Sequence, residues 1–313
     1  MKLSSAAEQA FARHETFHPR YGWMKKAVDG ALLDARLFTK DEAVVDLGVG
    51  KNMVRAIKYW GLATKVLEPL ADSDHPRLPG VKVTDFRLQL LGPDGWDPYG
   101  EDAATNWLLH WKLVSPRSLA PVWWVALNEF PAVQFSIEDL RTFTRDFLSG
   151  VSEWDNPHPS SVSKDVDCFV KMYSVAEAGA RATSDELIDS PFRELGLLRA
   201  TDTRRTFRFN VGRKPTLPAA VSLYACLDFL AASESGGNTI TLSRLANDAG
   251  APGRVFKLTE AALRHDLEMA TRRHAGVSVV ESNGIPQLKL TSAATTLRDA
   301  VIRDHYTRSR QVA

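Results

Sequence analysis

The sequence predicts a mainly α fold (α+β) with small β-hairpin wings, arranged as winged-helix-like units in tandem. Three observations predict it. Apolar residues recur at helical spacing over most of the chain, and Gly- or Asn-containing turns separate the helical runs. The order helix, helix, helix, hairpin then recurs near residues 21–95, 121–212 and 217–291. Unit boundaries follow at 1–100, 101–215 and 216–313, the last unit carrying an extra closing helix. Element order repeats without any repeat of sequence.

In the first unit Met24, Val28, Ala31 and Leu32 share a helical face, which predicts a helix to about Leu37. Thr39 and Glu42 match a Thr-x-x-Glu capping box opening a short helix through Val44, Val45 and Leu47, with Gly48 ending it. After the turn Gly48-Val49-Gly50-Lys51, Asn52 is expected to cap a third helix through Ala63. On that helix Met53, Ile57, Trp60 and Thr64 fall on one side, and Asn52, Arg55, Lys58 and Tyr59 on the other. The first side is expected in the core. The second is basic and planar, suited to a groove.

A helix over Thr105–Leu113 joins the first unit to the second. The second unit reads as a helix from Pro121 to Phe130, a helix from Ile137 capped by Ser136 with Asp139, and a helix from Val162 to Tyr173 preceded by Ser160 and Ser161. Leu197–Ala200 and Thr206–Val211 form a hairpin around Thr201 to Arg205. The third unit opens with a helix over Ala219–Ala232, a loop over Ser233–Asn238 and a short strand at Ile240–Leu242. Ser243 is expected to cap the next helix, Ala249–Gly253 turns, and Glu260–Arg273 is a long helix. Val277–Val280 and Gln287–Leu290 pair through the favoured Asn283-Gly284 turn, and residues 292–309 close as a helix.

At 313 residues, 44% hydrophobic and 25% charged, the composition is that of an ordinary globular chain. The run Ala120–Leu127 is far too short for a membrane span, and Met1–Glu8 lacks the apolar core of a secretory signal. A cytoplasmic protein with no membrane partner is expected. Cys168 and Cys226 have no CxxC neighbour and read as core thiols. The net charge of +1 hides local polarity. Residues 1–66 hold eleven Lys/Arg against seven Asp/Glu, whereas residues 68–104 hold three against eight. Arg199 to Lys214 carries six basic residues and one acid, Asp202. Such patches bind phosphate even in a nearly neutral protein.

Four segments suggest chemistry. His14-Glu15-Thr16-Phe17-His18 matches HExxH, but Pro19 pushes His18 out of the helical region, so a zinc helix is not expected there. Gly48–Asn52 fails the phosphate-loop pattern at Val45 and Asn52, which leaves a glycine turn whose Lys51 can hold a DNA phosphate; no nucleotide or organic cofactor is expected. The acidic loop Asp94–Asp102, followed by His110, offers Asp97, Glu101 and Asp102 as ligands for Mg²⁺ or Mn²⁺. The same loop also reads as a capped, Trp-containing connection between units. In the basic hairpin Arg204, Arg205 and Arg208 are expected to face solvent while Phe207 and Phe209 face the core. Arg254 and Lys257 are weaker DNA contacts of the last unit. Hydrolysis of a phosphate ester needs a base or nucleophile, an acid and a phosphate clamp. His14, Glu15, Asp97, Glu101, Asp102 and His110 are the catalytic candidates, and Arg20, Lys25, Lys51, Asn52, Arg55, Lys58 and Tyr59 join the hairpin arginines as DNA-binding candidates.

The stretches Arg13–Phe17, Arg20–Lys26 and, above all, Leu47-Gly48-Val49-Gly50-Lys51-Asn52-Met53-Val54 through Trp60 carry a resemblance. Asp97–Asp102, Lys164–Asp167 and Pro252–Leu258 extend it over most of the chain. The chain resembles the SspB-like family, a domain of unknown function encoded in bacterial DNA phosphorothioation operons. The resemblance implies a DNA-nicking protein of an antiphage defence system. It implies partners too: a cysteine desulfurase, an ATPase and an ATP-pyrophosphatase-like protein, for which a strand is opened so that sulfur can replace a backbone oxygen. No catalytic residue is assigned by it position by position. The competing expectations are a non-catalytic DNA-binding module, which recruits those enzymes or regulates their operon, and a protein-interaction scaffold.

Overall fold

The computed structural model describes residues 1–70, 79–175, 190–201, 205–233 and 237–312. A first short helix, α1 (Leu3–Ala6), leads through irregular chain to α2 (Trp23–Leu33), α3 (Ala43–Asp46) and α4 (Lys51–Ala63). Helix α2 stops four residues earlier than its periodicity suggests. Asp34 is extended, and Leu37–Thr39 forms a 3₁₀ turn in which the Thr39 hydroxyl donates back to Arg36 O at 2.8 Å. Thr39 therefore caps nothing, and α3 starts with Glu42 at its N-cap. Likewise Gly50 is the N-cap of α4, so Asn52 lies within the helix. Strands β1 (Leu67–Pro69) and β2 (Val81–Val83) pair antiparallel, Leu67 opposite Val83, and α5 (Asp85–Leu91) follows without having been foreseen.

The middle of the chain is built on α6 (Ala103–Val114) and α7 (Pro121–Asn128), which are apolar on nearly every side. A helix of that kind has to be interior. Every residue of α7 is buried. Strand β3 (Gln134–Ser136) runs into α8 (Ile137–Ser149), closed by the expected capping box: Ser136 Oγ accepts from Asp139 N, and Asp139 Oδ2 from Ser136 N. Helix α9 (Pro159–Tyr173) is capped by His158 with Pro159 at its first position, rather than by Ser160 or Ser161. The strands β4 (Ser174–Val175), β5 (Leu198–Ala200) and β6 (Thr206–Phe209) complete a four-stranded sheet of order β3-β6-β5-β4. Only the β4–β5 pairing is parallel.

The C-terminal part repeats this connectivity. After α10 (Ala219–Ala232) come β7 (Thr239–Thr241), α11 (Leu242–Asn247), α12 (Pro252–Val255), α13 (Glu260–Thr271), β8 (Val277–Ser282) and β9 (Ile285–Leu290), with sheet order β7-β9-β8. Thr241, not Ser243, caps α11, its hydroxyl accepting from Arg244 N. In both sheets the first strand pairs with the last, and the last with the hairpin strand between them in sequence. Helix α14 (Ala294–Val312) packs along α10. The chain is thus an α+β fold, mainly helical with small, largely antiparallel sheets. One continuous apolar core collects residues from all three parts, with Trp60, Trp107, Trp111, Trp123 and Trp124 fully buried. Among the described residues no helix is long and apolar enough to cross a membrane.

Candidate nucleic-acid interface

Helix α4 shows how one element supplies both core and site. Val54, Ala56, Ile57, Trp60 and Ala63 are buried, whereas Lys51, Asn52 and Arg55 are exposed. Tyr59 departs from the face expected of it: it is 9% exposed, and its hydroxyl donates to Leu119 O at 3.0 Å. Its ring is large enough to reach the core from the border of the polar face. Above it runs a groove of about 530 Å³ lined by Arg13, Lys40, Lys51, Arg55 and Lys58, with Asp41 as its one acidic wall residue. Lys51 meets Asp41 at 3.2 Å, Lys40 meets Asp34 at 2.5 Å and Arg55 meets Glu15 at 3.6 Å. These pairs are solvent-exposed, contribute little stability and can exchange carboxylate for phosphate at low cost. Lys58 is half-buried, which pushes its ammonium below the ordinary lysine value.

Arg13 and Arg55 also line a second depression of about 790 Å³, together with Glu15, Asp155 and His158. His158 Nδ1 accepts from Ser160 N at 3.2 Å when the neutral ring carries its proton on Nε2, and donates to Ser160 Oγ at 2.8 Å when Nδ1 is protonated. The HExxH stretch is a turn, with Ala12, Glu15 and Thr16 in the left-handed region, so no zinc helix forms there. His14 is fully buried: its Nε2 donates to Asp165 Oδ1 at 2.7 Å and its ring stacks on Trp60 at 6.0 Å. Ala12 N donates to the same oxygen at 2.9 Å. Burial nevertheless keeps the Asp165 carboxyl above its ordinary range, the His14 contact offsetting only part of that push. The pair pins the N-terminal segment to α9 and leaves Glu15 partly exposed beside Arg55.

Arg20 and Lys25 lie apart from the α4 groove. The Arg20 guanidinium sits 5.9 Å from the Phe17 ring and 6.0 Å from that of Trp23, and Lys25 pairs with Asp29 and faces Tyr99. In the acidic loop Asp97 is 7% exposed and both its oxygens are occupied. Oδ1 accepts from Glu101 N at 2.9 Å, while Oδ2 accepts from Asp102 N at 3.0 Å and from the Thr105 hydroxyl at 2.5 Å. Asp102 caps α6 through Ala104 N at 2.8 Å and meets His305 at 3.1 Å. Burial pushes the Asp102 carboxyl up, but His305 and Ala104 N outweigh it and hold it below the usual range. Glu101 points to solvent. As arranged, the three carboxylates share no cation site, and among the described residues no three His, Cys, Asp or Glu side chains converge to hold a metal. His110 is fully buried, its Nε2 donating to Val255 O at 3.0 Å and its Nδ1 accepting from the Tyr173 hydroxyl at 2.8 Å. Burial pushes its pKa down to about 4, so the ring is neutral.

On the middle sheet Arg199 lies directly opposite Arg208, both exposed, while Phe207 and Phe209 face inward. Like charges directly opposed across strands repel. Arg205 is exposed beside them, and Arg204 lies outside the described residues. Arg254 and Lys257 are used internally. Arg254 donates to Asn247 O and Asn128 O, and the Lys257 ammonium donates to Leu127 O at 2.7 Å while sitting 4.3 Å from the Phe209 ring. Burial pushes the Lys257 pKa down to about 7.

The model of a family described as a protein of unknown function (DUF4007) matches residues 11–306. An SspB crystal structure is 38% identical, with a TM-score of 0.91 over 99% of this chain and 92% of that one. This chain belongs to the SspB-like DUF4007 family. A magnesium-ion-bound SspB crystal structure is equally similar, 38% identical with a TM-score of 0.91 over 99% of this chain and 91% of the other. No curated protein matches the chain. In this SspB-like protein the structure gathers Lys51, Arg55 and Lys58 along α4, as their positions in sequence suggest, and sets Glu15 against Arg55, which they do not. It adds Arg13, Lys40 and His158, which sequence reasoning missed. Each is a lone charged or polar residue in a loop or turn, and only the packing of the N-terminal segment on α4 and α9 brings them together.

Proposed function

We propose that this SspB-like chain is the DNA-binding, DNA-nicking component of a bacterial DNA phosphorothioate-modification and antiphage defence system, working in the cytoplasm. The observation that carries the DNA-binding part is the α4 groove, five cations against one carboxylate. The family supports the rest of the reading, and with it the cysteine desulfurase, ATPase and ATP-pyrophosphatase-like proteins as partners. The shared strand and helix order of the middle and C-terminal parts favours three winged-helix-like units, 1–100, 101–215 and 216–313. In such units α4 and the Arg199–Arg208 hairpin are the parts that meet a duplex.

For the cut itself, the depression beside the groove is the better supplied place. Lys51 and Arg55 hold the phosphate, and Glu15 takes a proton from the attacking water. As the phosphorus–oxygen bond breaks, the leaving oxygen takes the Nε2 proton of a His158 imidazolium, which ends as the neutral ring with its Nδ1–H on Ser160 Oγ at 2.8 Å, and Arg13 and Arg55 balance the charge that builds on phosphorus. The candidates His14, Asp97, Asp102 and His110 enter this reading as residues that hold the fold around it. A divalent ion is proposed on the strength of the magnesium-bound relative, with no step assigned to it. The runner-up is a DNA-binding module without cleavage, favoured by the internal hydrogen bonds that occupy Asp97 and His110.

The experiment is conversion of supercoiled plasmid to open circles by metal-stripped protein, with Mg²⁺ or Mn²⁺ added back. Nicking is expected, lost by about tenfold or more in Glu15→Gln and His158→Ala with DNA affinity retained. Lys51→Ala with Arg55→Ala should weaken affinity itself. Salt-sensitive binding without nicking selects the recruiting module. Absence of binding sinks both.

A further inference from the structure

A separate pocket of about 680 Å³ opens between β1, α5, α6 and α14. Its unusual member is Arg87, 1% exposed, with both terminal amines, Nη1 and Nη2, buried and without a hydrogen-bond acceptor among the described residues. Its guanidinium lies 4.9 Å from the Phe86 ring centroid. A buried cation without an acceptor is expensive, and a purely structural arginine is given a carboxylate or carbonyls. Of the carboxylates around it, Asp228 is shared by Lys112 at 2.6 Å and Arg298 at 2.8 Å, Asp299 holds Arg298 and Glu68 holds Lys82; Glu8 and Asp85 also line the pocket, whose wall carries six Lys/Arg against four Asp/Glu. Arg117 and Arg303, both exposed, add positive charge at the pocket wall. Three aromatic side chains, Phe86, Trp96 and Tyr224, form part of the remaining wall. Phe86 is stacked 6.0 Å from Tyr224 and meets Trp96 edge-on at 6.1 Å.

An anion alone explains the arginine but neither the volume nor the rings; a pocket of this size with a flat aromatic wall fits a phosphate that carries a planar group. We propose that this pocket binds a nucleotide, with its phosphate on Arg87 and its base against the Phe86, Trp96 and Tyr224 surface. Two sources offer that chemistry, a free nucleotide and the 5′-phosphorylated end of a strand. Leu62 of α4 borders both this pocket and the basic groove, so a strand lying along α4 passes beside its mouth. The inference stands apart from the nicking reading because its readout is binding, and it fails or holds whether or not plasmid is cut.

The test is calorimetric titration of the full chain with thymidine 5′-monophosphate, thymidine and inorganic phosphate, followed by a thymidine tetranucleotide with and without a 5′-phosphate. The monophosphate is expected to bind about tenfold more tightly than thymidine or phosphate alone. Arg87→Gln should remove that preference, with an unchanged or higher thermal midpoint because an unpaired charge is gone. Arg303→Ala, at an exposed position, should weaken binding several-fold in a protein that folds normally, so the proposal stays testable if Arg87→Gln does not fold. Tighter binding of the 5′-phosphorylated tetranucleotide than of the monophosphate identifies the strand end as the source; the reverse identifies the free nucleotide. Lack of binding by either form at millimolar concentration, or binding unchanged in both variants, overturns the proposal.

Discussion

His110 shows what a single buried residue does to the whole balance of stability. Its two ring nitrogens are satisfied by Val255 O and the Tyr173 hydroxyl, an arrangement that requires the neutral ring. Its folded pKa is about 4, against 6.5 for the exposed side chain. Between these values the unfolded chain takes up a proton that the folded chain refuses. The stabilising contribution is therefore present above about pH 6.5 and lost as pH falls toward 4. The loss amounts to on the order of 3 kcal/mol when each unit is worth 1.36 kcal/mol. Urea denaturation at a series of pH values should show it as a slope that flattens in His110→Gln. An identical slope in both proteins contradicts the assignment. A reader of the sequence sees this histidine only as a neighbour of an acidic loop, because the residues that neutralise it are 63 and 145 positions away.

At the scale of elements, α12 packs backbone to backbone on α11 through Gly253. A methyl group built on Gly253 would lie 2.4 Å from Ala246 O and 2.5 Å from Ala246 Cα, contacts with backbone that no rotamer change relieves. Gly253→Ala is expected to destabilise the protein by roughly 2 kcal/mol, measured by chemical denaturation, as overpacked sites do. A change within a few tenths of a kcal/mol would show that the two helices separate without cost. This close approach was visible in sequence only as a turn. Helix existence was legible wherever periodicity was strong, as for α4, α8 and α10, and the β8–β9 hairpin followed from Asn283-Gly284. The capping residues were less legible. Thr39, Asn52 and Ser243 are good caps by type, yet Glu42, Gly50 and Thr241 hold the positions, because several capable residues stand side by side and tertiary packing decides which one the helix starts from.

For the molecule as a whole, a net charge of +1 means that long-range attraction to DNA is weak and binding depends on local cations. If the α4 groove engages one phosphate per cation, log affinity should fall against log salt with a slope of about −4. The pair Lys51→Ala and Arg55→Ala should reduce that slope by about 2. A slope near zero in the unchanged protein would place the DNA contact elsewhere. The groove itself was half legible: α4 announces its own cations, whereas Arg13 and Lys40 arrive through folding of the preceding loops.

The closing of α14 over the acidic loop sets a schedule for synthesis. Thr105, which bonds Asp97, is completed by the Tyr306 hydroxyl 201 residues later at 2.8 Å. At elongation rates of about 5–20 residues per second that interval is roughly ten to forty seconds. During it the nascent chain displays the loop without its cover and the Arg87 pocket without its α14 wall. Neither is complete until α14 has left the ribosome, so a product that stops short of α14 lacks one wall of the nucleotide pocket.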